Sequence, residues 1–187
     1  MRRVVTGFDE SGKSVFTSDG GAPHGAALRG VERFRIDEIW AVEGVPQLPA
    51  AREDPTLAAH QFFPAAGGTR FCVVTFPPAA DLTRAAEAGI DVAAAEAEFY
   101  SHFAGLAEHM EAAEPGMHRS KTVDYGVVIS GEVCLELDDG VKKVLRPGDC
   151  VIQNGTRHAW RNLSDRECVM AFVTSSVHAS RSTVGTR

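Results

Sequence analysis

Apolar and polar positions along this chain follow two periods, and the period changes twice. Strand-like runs at Arg2 to Thr6 and Ser14 to Thr17 flank Asp9-Glu10-Ser11-Gly12, a turn sequence that predicts a hairpin. Phe34 to Val42 is rich in strand formers. A loop with Pro46, Pro49 and Pro55 follows, and Gly67-Gly68 leads into Thr69 to Phe76, a strand stopped by Pro77-Pro78. Residues 80–113 are alanine-rich and acidic. There Val92, Ala95, Phe99, Phe103, Leu106 and Met110 recur every three or four residues, which predicts one amphipathic helix over about 91–112, ended by Pro115-Gly116. Its apolar stripe is expected to pack on the β core or on a partner subunit, with His102 and His109 beside it as surface or packing residues. From Met117 to about Ser175 short strands return, punctuated by Asp138-Asp139-Gly140 and Pro147-Gly148-Asp149. Such closely spaced strands predict a sandwich or barrel. The polar tail after Val177 is expected to fray.

Composition narrows the picture without changing it. The 187 residues suit one domain with a core, and no internal repeat or low-complexity linker divides them. The net charge of −6 argues against nucleic acid as a partner. Asp9, Glu10 and Lys13 interrupt the start of the chain, so no export signal is read. No apolar run reaches the roughly 18 residues of a membrane helix, and a cytoplasmic protein is expected. Cys72, Cys134, Cys150 and Cys168 lie singly in apolar strand-like runs, which predicts buried, reduced thiols.

Two stretches carry candidate chemistry. In the first, from His118 to Gly131, the residues His118, Ser120, Thr122 and Asp124 share parity. A continuous strand would turn all four to one face, with Val123, Val127 and Ile129 on the other. A polar face inside an apolar barrel is costly unless a metal ion, a ligand or ordered water binds it. In the second, from Pro147 to Asn162, His158, Trp160 and Asn162 share parity, which sets an imidazole beside an aromatic wall. Arg119, Arg157 and Arg161 have the opposite parity and are expected at the surface, as is Tyr125. No G-x-S-x-G elbow, Walker-type loop or G-x-G-x-x-G competes.

These stretches resemble the paired motifs of the cupin superfamily. His118 stands at the first histidine of the first motif, Asp124 at its acid and Gly131 at its closing glycine. Pro147-Gly148-Asp149, His158 and Asn162 stand at the second. Ser120 replaces the second histidine, and Asn154 lies near a place where proline is usual. The resemblance implies an all-β fold with one added helix, a cupin double-stranded β-helix (jelly-roll-like) barrel. Within one domain it implies N-terminal strands over 1–78, a helical insertion over 80–113, the two-motif core over 116–174 and a flexible tail over 178–187.

It also implies a divalent metal (Fe, Mn, Ni or Zn) on His118, Asp124 and His158, with Asp124, His158 and Ser120 in catalysis. Ser120, Thr122 and Trp160 would border the substrate. Two imidazoles and one carboxylate resemble the triad that leaves open positions on non-haem Fe(II). Weaker affinity is expected, since one imidazole is missing and Asp is a methylene shorter than Glu. The expected function is a metal-dependent enzyme acting on a small carbonyl, enol or aromatic metabolite, with dioxygenase chemistry preferred. Decarboxylase, lyase or isomerase chemistry is the alternative, as is a metal-free barrel in which Asp124 is a general base or a non-catalytic small-molecule binder. A homodimer is expected.

Overall fold

The computed structural model describes residues 1–50 and 53–176, so the expected fraying of the tail lies outside the described residues. Eleven antiparallel strands form three sheets. β1 (Arg2–Phe8) and β2 (Ser14–Gly21) make the expected hairpin, a two-stranded sheet of its own. Its turn is held by the Asp9 side chain, which accepts from the backbone of Ser11 and Lys13. The large sheet contains β3 (His24–Leu28), β4 (Val31–Val42), β5 (Thr69–Phe76), β6 (Thr122–Ser130), β9 (Cys150–Asn154) and β11 (Cys168–Ser176), in the order β3-β4-β5-β11-β6-β9. A smaller sheet contains β7 (Val133–Glu136), β8 (Lys142–Leu145) and β10 (Ala159–Arg161), in the order β10-β7-β8.

The core lies between the large and small sheets. Val74, Val128, Met170 and Phe172 from the first meet Val133, Leu145 and Trp160 from the second. No ladder among the described residues joins these two sheets into a closed barrel. The alternation read for β6 is observed. Thr122, Asp124 and Val128 are buried, while Tyr125 and Ile129 on the other face are exposed.

The single helix expected over 91–112 is instead two helices and a short turn. α1 (Ala79–Glu87) and α2 (Val92–Ser101) are separated by Gly89 at φ 87°, and the Asp91 side chain caps α2 by accepting from the Ala94 N–H. The chain leaves helix after Ser101 and turns at Gly105, φ 79°. Phe99, Phe103 and Leu106 are buried all the same. The periodicity thus reported burial correctly and helix length incorrectly, because apolar packing holds the segment after its helical hydrogen bonding has ended. Cys150 also departs from expectation. It opens β9 on the outward face and is exposed, whereas Cys72, Cys134 and Cys168 are buried.

The closing glycine of the first motif has a steric role. Gly131 sits at φ 73°, and a Cβ there would lie 2.2 Å from the Glu167 carbonyl oxygen. Gly131→Ala should therefore cost about 3 kcal/mol from backbone strain and crowding, lowering the thermal midpoint by roughly 6–12 °C. A calorimetric shift under 2 °C would contradict this reading.

Candidate functional site

A cavity of about 260 Å³ opens between the two sheets under the helical segment. Most of its wall is aromatic or aliphatic, with Phe34, Phe62, Phe76, Tyr100, Trp160 and Phe172 prominent. Its polar lining includes His118, His158, Asp124, Thr174 and Asn162. Of the residues expected to border a substrate, Trp160 does so, while Ser120 and Thr122 are buried outside the wall. Arg161, expected to point away, lines the cavity and donates to the Pro115 carbonyl and to Glu136. Arg157 faces outward as expected, onto Glu111, Glu114 and Asp138.

His118 and His158 are brought together by backbone pairing. Each donates its N–H to the other's carbonyl at 2.9 Å in an isolated antiparallel bridge. Residues paired directly in this way project to one face, and the two ring centroids lie 4.2 Å apart. This bridge, and not a continuous strand, places His118, because β6 begins only at Thr122. Each ring fixes its own tautomer through a nearby carbonyl. Nδ1 of His118 donates to Gly116 at 3.1 Å, and Nδ1 of His158 donates to Thr156 at 2.9 Å. Nε2 is left as the lone-pair nitrogen on both rings, the arrangement found in metal-binding histidines.

Burial sets the protonation states. It pushes the His158 imidazole down to about 4; the neighbouring His118 adds to the effect and the Thr156 carbonyl opposes it. His118 is also lowered, mainly by burial. Burial raises Asp124, against the pull of the Thr122 and Ser120 hydroxyls. The Thr122 hydroxyl donates to that of Ser120 at 2.7 Å. Asp124 Oδ1 is buried with no hydrogen-bond partner.

This donor set suits a divalent cation in its chemistry, with two neutral imidazoles presenting Nε2 and an orphaned carboxylate oxygen on the same cavity. Its placement is another matter. Among the described residues, no group of three His, Cys, Asp or Glu side chains converges where it could hold a metal ion. The two histidines form a pair, and Asp124 stands apart from it.

The helical segment contributes more of the wall than its sequence indicated, through Glu96, Tyr100, Leu106 and Met110. The spacing of Leu106 and Met110 in the apolar stripe signalled burial but not against what. Thr174 was not singled out by the sequence, and Cys72 was read only as a buried thiol, without its place on the cavity. The Cys72 thiol is pushed up to about 12 by burial and by the charges of Glu38 and Asp124, so it stays protonated and inert. Asn162, the second-motif asparagine, is structural in its contacts. Its amide bonds the carbonyls of Phe76 and Arg166 and accepts from Ser164.

Residues 106–174 match the family described as "Cupin domain". Over this stretch, which is less than half of the chain, the protein is similar to that family. A relative from Aspergillus oryzae, "Oryzines biosynthesis cluster protein J", is 48% identical over 59 residues, covering 32% of this chain and 33% of that protein. "Cupin-domain-containing oxidoreductase srdB" from Neurospora crassa is 49% identical over 51 residues, 27% of this chain and 26% of that protein. The matched stretch thus spans only about a third or a quarter of each relative's length. Among solved structures, a putative ethanolamine utilization protein Q from Salmonella typhimurium aligns over 95% of this chain and 98% of its own, with 8% identity and a TM-score of 0.41.

The histidine pair has a pH consequence. The unfolded chain takes up a proton at His158 near the ordinary value of 6.5, whereas the folded protein resists it down to about 4. Stability is therefore lost as pH falls through this window and is fully present above it. Asp124 has the opposite sign, because a raised carboxyl costs stability as pH rises past its ordinary 3.8. In chelator-treated protein, His158→Gln should remove a loss of up to about 3 kcal/mol between pH 6.5 and 4, read as the wild-type-minus-variant difference in denaturant unfolding. A difference that does not vary with pH would contradict it.

Proposed function

We propose that this protein is a cupin enzyme of the oxidoreductase type, acting on a small, mostly apolar carbonyl, enol or aromatic metabolite. One observation carries the proposal. An aromatic-walled cavity of about 260 Å³ carries two neutral imidazoles and a carboxylate among its few polar groups. That volume accommodates a ring with a few substituents, near the small end of metabolite sites. The names of the Neurospora relatives favour redox chemistry over the lyase and isomerase alternatives.

A divalent metal ion belongs to the same proposal. His118 and His158 would hold it through Nε2, with Asp124 supplying balancing negative charge. The bound ion would supply Lewis-acid or redox chemistry at the cavity wall. The chain's own residues do the rest. Phe34, Phe76, Trp160 and Phe172 exclude water and orient the substrate body. Asp124 Oδ1 is the free acceptor for a substrate proton.

Purified protein should carry close to one equivalent of divalent metal, and His158→Ala should cut occupancy at least tenfold while circular dichroism is unchanged. Substrate-dependent O2 uptake in a screen of small diketones and catechols should mark the oxidoreductase. Full occupancy in the variant would overturn the ligand assignment, and turnover that is equal with and without air would favour the lyase or isomerase reading.

Homodimer assembly is supported by the outward face of the large sheet. Phe71, Val173, Tyr125 and Ile152 are paired across four neighbouring strands and remain 37%, 38%, 52% and 52% exposed. Such an exposed apolar row suits burial against the same row of a second copy in a two-fold dimer. Light scattering should give twice the 20.0 kDa chain mass, and Tyr125→Glu with Ile152→Lys should return the monomer. A monomeric wild type would remove the dimer from the proposal.

A further inference from the structure

One step from the apolar outer row, on the inner face, runs a polar row across the same four strands. Thr174 on β11 pairs with Arg70 on β5 and with Asp124 on β6, and Asp124 pairs with Gln153 on β9. All four are buried, with exposures of 3% for Arg70, 6% for Thr174, 7% for Asp124 and 3% for Gln153. Arg70 is satisfied, donating to the carbonyls of Gln61, Val42 and Thr69. Each of the other three keeps a buried polar atom without a partner: Thr174 Oγ1, Asp124 Oδ1 and Gln153 Nε2. Gln153 Oε1 is already engaged by the Thr156 hydroxyl, so its unused atom is strictly a donor. Among the described residues, four buried side-chain atoms are orphaned, and three of them fall in this one row.

Orphaned buried polar atoms are rare because each costs about 1–3 kcal/mol. Two of the three, on adjacent strands and facing one cavity, call for a common partner. Asp124 and Thr174 open onto the cavity, so that partner enters from there. Its chemistry follows from the atoms it must satisfy. Asp124 Oδ1 accepts, and Thr174 Oγ1 can donate or accept. A carboxylate would only accept and would face the Asp124 charge. A lone carbonyl would leave Asp124 unmatched. A hydroxyl donates one hydrogen bond and accepts others, and so serves Asp124 and Thr174 together, while Gln153 lies beside Asp124 on β9, off the cavity wall.

We propose that Asp124 and Thr174 form the specificity anchor of the cavity and select a hydroxyl-bearing aromatic ligand, a phenol or aromatic alcohol, whose ring lies against Phe172 and Trp160. The inference rests on the cavity being the substrate site and assigns the end of it that reads the substrate's polar group. Thr174 is not a metal donor, so its role stands or falls independently of the metal.

The test uses 4-ethylphenol and ethylbenzene as paired probes, titrated calorimetrically into the protein both as purified and after chelation. Wild type should bind the phenol at least tenfold more tightly in both preparations. Thr174→Val keeps shape and loses the hydroxyl. It should bring the ratio below threefold while ethylbenzene affinity stays within twofold, and Thr174→Ser should restore the ratio. Thr174→Ala gives the same comparison should Thr174→Val fold poorly. Equal affinity for the two probes in wild type, or a ratio unchanged in the Thr174 variants, would overturn the proposal and leave ordered water as the partner of the row. A tenfold ratio that disappears only on chelation would assign the discrimination to the metal and overturn it equally.

Discussion

β6 is hydrogen-bonded along both edges, to β11 on one side and β9 on the other, and this double pairing fixes the register of Asp124 and of the residues beside it on both faces of the sheet. A slip of one residue would exchange the two faces of the strand. Asp124 would then lie outside, and Tyr125 would fill the cavity. The exchange is resisted from both faces. Val128 and Phe172 bury apolar area inside, and Gly126 leaves the space that Phe172 needs, since a Cβ there would come within 2.9 Å of its ring. The polar row and the apolar row are thus two consequences of one pairing pattern.

The histidine pair depends on a separate and smaller device. Two backbone hydrogen bonds between His118 and His158 join a segment that precedes β6 to one that precedes β10. Carbonyls two residues before each ring then fix both tautomers. Neither imidazole depends on a charged partner, so burial keeps both neutral and their Nε2 atoms available. Such a pair is poised for a soft or borderline cation, or for hydrogen bonding to a substrate oxygen.

The helical segment walls one side of the space between the sheets. Phe99 packs on Phe34 at 4.9 Å between centroids and on Phe103 at 5.5 Å, anchoring the segment. Tyr100, Leu106 and Met110 then face the cavity. The result is an apolar chamber in which a few polar atoms act at low dielectric, where an unmatched one is costly and a matched one selective.

Strand alternation was legible in the sequence because its period follows from backbone geometry alone. His118, Asp124 and His158 could be singled out because their spacing between turn glycines is local and specific. The cupin reading followed from the same residues. Tertiary structure decided what parity and motif cannot reach. The bend before Thr122 took Ser120 and Thr122 off the cavity wall, and Asp124 stayed apart from the histidine pair because its reach depends on how three segments pack. Thr174 and Gln153 carry no motif, and they join Asp124 only through cross-strand register between β11, β6 and β9. The sequence by itself thus determined which side chains face inward. Which of them meet was decided by pairing between strands far apart in the chain, a property no local pattern encodes.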